Sequence, residues 1–469
     1  MNLHLVILIA YSLAMIALGL IVARRVRGTS DFFVARRQLG PGLIFSTMLA
    51  ANIGAGSTVG ATSLGYAGGV AAWWWVGSAA LGSLGLAFWI GPAMRREAAA
   101  HDLRTVGDYL EYRYSPAIRG TVALLLWVGS IFILAGQLVA IGSILQAVAG
   151  IPAAIGCAIG GGVITIYFTA GGLQSSARVN VVQLAVKLGG FALAVPLVIR
   201  ALGGWSALGQ VQSSDPAYWS PFRYGPPGLV YLATVMPSFV ISPGLLQKVF
   251  GAKDDRAVRL GVGLNALGLL LYAAVPAILG IAARGRFPDL KSPTDALATI
   301  LIFMLPPVVG AIGLAAVFSA EISASDAVMF MLSTSLSQDL YRRFINPRAS
   351  DRQVLSMARI SAIGVAVLGV ALAIALGSVV DALRIFYTLL TVSFFVPILA
   401  GLYAPHASTL EAAASIGCGI VGVVVTQFAT GGRGILGLTP DVVGVAVALL
   451  GFAVVYLSRM TRYGSTRTL

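Results

Sequence analysis

Long apolar runs alternate along this chain with short polar interruptions that are mostly basic. A membrane-crossing helix needs about 20 apolar residues, and thirteen segments reach that length: roughly 3–23, 41–67, 71–94, 120–149, 151–170, 178–202, 226–250, 258–283, 305–338, 356–379, 381–403, 409–429 and 440–458. Two of them are broken inside. Pro41–Ala67 carries Ala50-Ala51-Asn52-Ile53-Gly54-Ala55-Gly56-Ser57 at its centre; Pro226–Phe250 is interrupted by Pro237-Ser238 and by Ser242-Pro243-Gly244. Hydrocarbon accepts unpaired backbone only where it faces protein or a water-filled cavity, and a matched pair of Gly/Pro-interrupted spans points to the binding site of a secondary transporter. With the first span (3–23) peripheral, the next ten divide five and five into 41–202 and 226–403, each half opening on a broken helix. Five is odd, so the second half inserts upside down relative to the first, as an inverted repeat. Segment 409–458 then supplies two trailing helices, and residues 1–469 form one membrane transport domain.

Composition agrees: 58% of residues are hydrophobic and 10% charged, against roughly 25% charged in soluble domains. With the amino terminus outside, 24 of the 31 Lys and Arg residues fall on the inner side, Lys187 and Lys248 counted among them. That asymmetry places the amino terminus outside and the carboxyl terminus in the cytoplasm of a multi-pass protein of the cell inner (plasma) membrane. The net charge of +14 is thus a topology signal and asks for no nucleic acid. The first apolar run has no basic n-region and is followed by Arg24-Arg25, so it reads as a retained helix, not a signal peptide. Cys157 and Cys418 lie inside apolar spans and the three histidines are scattered, which gives neither a disulfide framework nor a metal or catalytic constellation. The aromatics of Gly203–Gly225 suit a headgroup belt or a lid over the site, the belt being the expectation, and Trp73-Trp74-Trp75 suit the same belt.

The ninth span holds Ser319-Ala320-Glu321-Ile322-Ser323-Ala324-Ser325-Asp326. A carboxylate at the centre of a spanning helix costs roughly 2.5–3.5 kcal/mol on insertion scales, so it is a functional candidate. At about 100° per residue, Ser319, Ser323 and Asp326 share one face with Ala320 nearby, while Glu321 points elsewhere. Hard oxygens on one face suit a small cation or a proton. Carbonyls freed in segment 50–57 complete a cage if they meet Ser323. Between the breaks, Gly54, Gly56, Ser57 and Thr58 from the first, Ser238, Phe239 and Ser242 from the second, and Gln137 on the fourth span are the candidate solute contacts. Neither break holds an Arg or Lys, which favours a small polar or monoanionic solute.

Several short runs resemble the sodium:solute symporter family: Ser30-Asp31-Phe32-Phe33-Val34-Ala35-Arg36-Arg37, Ala50-Ala51-Asn52-Ile53, Tyr167-Phe168-Thr169-Ala170-Gly171-Gly172-Leu173 with Gln183, Gln247-Lys248 with Ala252-Lys253, and Gln338-Asp339-Leu340-Tyr341. The resemblance covers almost the whole chain. It implies an all-α fold with a five-plus-five inverted-repeat core of the leucine-transporter type behind a leading helix. It also implies Na+ as the coupling ion, with ligands at Ala50, Ile53, Ala320, Ser323 and Ala324. Ala324 stands where the family has Ser or Thr, so one hydroxyl is missing. Some members carry an Asp where this chain has Asn180, three residues before Gln183. Asp326 is therefore expected to supply the missing charge, as a sodium ligand or a proton acceptor.

The expected function is sodium-coupled symport of a small polar or monoanionic solute by alternating access. The alternative is a proton-coupled symporter or an uncoupled uniporter of the same fold. A membrane enzyme would want interfacial catalytic carboxylates or His and large polar loops; a sensor would want more than the ten residues after Arg459. The partners expected are a small-molecule solute and the bilayer, with no obligatory protein partner evident.

Overall fold

Glycine and proline punctuate a chain that is otherwise helical. This computed structural model describes residues 3–23, 37–223 and 228–465. The helices run α1 (Leu3–Ala23), α2 (Pro41–Asn52), α3 (Ala61–Gly68), α4 (Trp73–Gly85), α5 (Gly91–Ala100), α6 (Val106–Arg113), α7 (Pro116–Ala149), α8 (Ala153–Leu202), α9 (Trp205–Gly209), α10 (Tyr231–Ile241), α11 (Pro243–Phe250), α12 (Asp255–Tyr272), α13 (Ala274–Arg286), α14 (Ala296–Phe303), α15 (Pro307–Thr334), α16 (Asp351–Leu376), α17 (Val379–Leu390), α18 (Val396–Tyr403), α19 (Thr409–Thr430) and α20 (Pro440–Ser465). Residues 30–36 of the first expected family run, together with Arg24, Arg25, Arg27, Tyr224 and Arg467, lie outside the described residues. So do the side chains of 167–178 and of Arg462.

Proline starts α2, α7, α11, α15 and α20, where its missing N–H costs nothing. Gly150, Gly377 and Gly431 end α7, α16 and α19 in the left-handed conformation. Gly69, at φ 71°, separates α3 from α4 so closely beneath Tyr218 that a Cβ would meet the Tyr218 carbonyl oxygen at 1.9 Å.

Both expected breaks are present, and the second is narrower than expected. The first lies over Ile53, Gly54 and Ala55, after which a π turn, Gly56–Gly60, resumes the helix. In the second, α10 continues through Pro237 and stops only at Ser242. Pro237 forfeits a single backbone bond, and Ser238 Oγ turns back to the Val235 carbonyl at 2.7 Å, so the helix survives that proline and fails at the next, Pro243.

Among the described residues, ten helical stretches are long and apolar enough to cross a membrane, and Leu3–Met15, Ala153–Ile166 and Pro293–Phe303 are shorter apolar helices. Two of the thirteen expected spans, 151–170 and 178–202, are joined in the single helix α8, of 50 residues. No proline lies between them; the first inside the helix is Pro196. The helix pairs are specific: α2 packs on α12 and α10 on α4; α15 packs on α8 and α7 on α17; α3 packs on α13 and α19 on α20. The α3–α13 seam is close because Gly280 leaves room for backbone: a Cβ there would lie 2.3 Å from the Thr62 carbonyl oxygen.

Candidate functional site

The first break redirects its own hydrogen bonds. In an unbroken helix Gly54 N–H would donate to Ala50 and Ser57 N–H to Ile53. Instead Gly54 N–H donates to Ser57 Oγ at 3.0 Å, Ser57 N–H to the Gly54 carbonyl at 3.0 Å, and Ala55 N–H to Gln137 Oε1 on α7 at 2.8 Å. The Ala50 and Ile53 carbonyls are thereby released toward α8 and α15. Lys187 of α8 enters the gap. Its Nζ donates to Ala50 O at 2.5 Å, to Ile53 O at 3.0 Å and to Ser323 Oγ of α15. An ammonium has three donors and no acceptor, so all three are satisfied. Ser323 Oγ accepts from Lys187 and also lies 2.8 Å from Ala50 O and 3.2 Å from Ala320 O, either of which can take its own proton. Lys187 is 0% exposed.

A second polar node adjoins this cage. Thr58 Oγ1 donates to Glu321 Oε1 at 2.8 Å, while the buried Glu321 Oε2 has no hydrogen-bond partner among the described residues. Glu321 attracts Lys187 electrostatically, and Asp326, five residues further along α15, attracts Lys248 of α11. Asn180, two turns before Lys187, donates to Thr47 Oγ1 of α2 at 3.1 Å.

Between the two breaks lies a cavity of about 840 Å³ when the open solvent at its mouth is included. Its polar lining comes from Asn52, Ser57, Gln137, Ser238, Ser242 and Lys248, and its aromatic wall from Trp75, Phe239, Phe386 and Tyr387. Trp75 meets Tyr231 and Tyr387 edge-on. On the far side of α15's end, buried Arg119 binds Asp339 at 2.8 Å, Asp108 at 2.8 Å and Glu111 at 2.9 Å, and Thr105 Oγ1 donates to Asp339 at 2.7 Å. This cluster ties α6 and α7 to the π-helical segment Ser335–Ile345 that follows α15.

The sodium:solute symporter family model matches residues 32–419. The chain belongs to the sodium:solute symporter family. Its family consists of transporters, not enzymes. The family member is 27% identical over 472 residues to the sodium/pantothenate symporter of Escherichia coli (strain K12), covering 95% of each chain. It is 22% identical over 372 residues to the high-affinity proline transporter PutP of Bacillus subtilis (strain 168), covering 76% of this chain and 78% of the relative. Its fold matches that of a Na+-coupled sialic acid symporter solved in a substrate-bound outward-open state, at TM-score 0.78 and 17% identity over 96% of this chain and 97% of the other. A nucleobase-cation-symport-1 family transporter shares the fold at TM-score 0.59 and 16% identity, over 93% and 96% of the two chains.

In this family member, the expected cation oxygens of Ala50, Ile53 and Ser323 do converge, and Ala320 O bonds to Ser323. The charge that reaches them is that of Lys187, not of Asp326, whose field falls on Lys248. Ala324 packs against the break, where a Cβ on Gly54 would lie 2.3 Å from its methyl. Of the expected solute contacts, Gly54, Gly56, Ser57, Gln137, Ser238, Phe239 and Ser242 line the cavity, whereas Thr58 turns away to Glu321. Trp75, expected in a headgroup belt, lines the cavity instead. Lys187 and Lys248 were expected among the inner-side charges and are both buried. The signal was available: Lys187 interrupts the apolar run Val179–Leu202, and a lysine inside a span is a functional candidate just as Asp326 is.

Proposed function

We propose that this protein is a secondary active symporter that carries a small monoanionic organic solute across the cell inner membrane by alternating access, coupled to a cation gradient. The observation that carries the reading is the single cavity bounded by both helix breaks and by Gln137 and Lys248. The breaks supply backbone polar groups and helix ends at mid-depth, and the Lys248 ammonium supplies the positive charge that a carboxylate would seek. Asp326 balances that charge when no solute is bound.

The five-plus-five inverted repeat is supported by reciprocal packing. Each broken helix packs on the helix that follows the other break, α2 on α12 and α10 on α4. On this reading α1 leads the core and α19 and α20 trail it, within one transport domain whose amino terminus is outside and carboxyl terminus cytoplasmic.

Family membership supports Na+ as the coupling ion. One observation favours a second reading, proton coupling: an ammonium already sits among the oxygens of Ala50, Ile53 and Ser323. Purified protein in liposomes, given labelled monocarboxylates, neutral polar solutes and amines under an inward sodium or an inward proton gradient, tests the proposal. Saturable, gradient-stimulated uptake of a monocarboxylate is expected. Stimulation by neither gradient for any solute in the panel would overturn it.

A further inference from the structure

We propose that the Lys187 ammonium is a tethered cation that fills the oxygen cage between α2 and α15 in place of a free ion. The inference rests on the symport reading above and names what occupies this cage.

Ligand number is the first ground. The cage presents three oxygens to Nζ, and the position where a further hydroxyl was expected is Ala324. Three acceptors complete an ammonium, whereas a bare cation bound by hard oxygens asks for a larger shell. Tethering is the second. Lys187 reaches the cage from α8, so its side chain joins three helices: it carries the charge on α8, draws both carbonyls from α2 and the hydroxyl from α15. No separate ion has space at the same point while Nζ is there.

The charges acting on Lys187 are Glu321 on α15, which attracts it, and Lys248 on α11, which repels it. Asp326 faces Lys248, Tyr272 of α12 faces Glu321, and Tyr11 of α1 neighbours Ser319 and Gln183.

The test uses the full chain with three forms: wild type, Lys187→Ala, which empties the cage, and Lys187→Met, which keeps it filled without charge. Thermal unfolding is first followed while sodium replaces choline at constant ionic strength, a readout that needs no solute. The unfolding temperature of Lys187→Ala should rise with sodium, and those of wild type and Lys187→Met should not. Sodium stabilising wild type as much as Lys187→Ala would overturn the tethered-cation assignment. In liposomes, solute counterflow without any gradient tests the symport reading separately.

Discussion

The side-chain carbonyl of Gln137 accepts the backbone N–H of Ala55 at 2.8 Å, joining α7 to the middle of the first helix break across 82 positions of sequence. Both partners are buried. The bond replaces one that the break removes, so the break is held open by a side chain from a different helix and not merely tolerated.

Gln137→Ala should leave Ala55 N–H buried without an acceptor, at a cost of about 1–3 kcal/mol. A lower unfolding temperature and weaker solute binding are expected together, with Gln137→Glu closer to wild type because it retains an acceptor. Unfolding and binding both unchanged in Gln137→Ala would show that the break stands without this support.

Arg119 compensates buried Asp339 and also binds Asp108 and Glu111. Removing one partner of a buried ion pair typically costs about 3–5 kcal/mol, because the other charge is stranded. Arg343 also binds Glu111, but its side chain is 41% exposed, and exposed pairs contribute about 0–1 kcal/mol. Arg119→Met should therefore lower the unfolding temperature far more than Arg343→Met. Equal effects would contradict the assignment of Arg119 as the centre of the cluster.

Glu111 gives this cluster a pH dependence of known sign. Burial pushes its carboxyl up, but hydrogen bonds from Arg343 and Arg119 outweigh burial and hold it below the ordinary carboxylate range. A carboxyl lowered by folding stabilises the protein above its unfolded value and loses that contribution as pH falls through the folded value. Unfolding temperature measured down through the acid range should fall more steeply for wild type than for Glu111→Gln. Parallel curves would remove Glu111 from the cause.

Lys248 lines the cavity between the breaks, the proposed solute site, and a hydrogen bond to a charged group contributes about 1.5–3 kcal/mol, which corresponds to about ten- to a hundredfold in Kd. Lys248→Met should weaken binding of a carboxylate solute by that factor while its amide or ester analogue binds equally to both forms. Equal weakening of acid and amide would assign Lys248 to packing and not to recognition.

What the sequence disclosed and what it hid divide along one physical line. The two breaks were legible because glycine, proline and a polar residue inside an apolar run are local signals. The Ser323 face of α15 was legible because helical periodicity is local as well. Lys187 was visible as a lysine inside an apolar run, but its role was hidden: its partners lie 134 to 137 positions away, and a tally of basic residues by side of the membrane absorbed it as one more inner charge. The same tally absorbed Lys248, which brings an ammonium to the cavity lining. Pro237 misled in the other direction, since only packing on α4 decides whether a helix survives a proline.

The logarithm of the steady-state ratio of internal to external solute in liposomes, plotted against the logarithm of an imposed cation gradient, is the most direct measurement. A linear rise, abolished by an ionophore that dissipates the driving cation, is expected of a symporter built around this cavity. A ratio fixed at unity across all sodium and proton gradients, with solute still equilibrating, would contradict it and leave a uniporter.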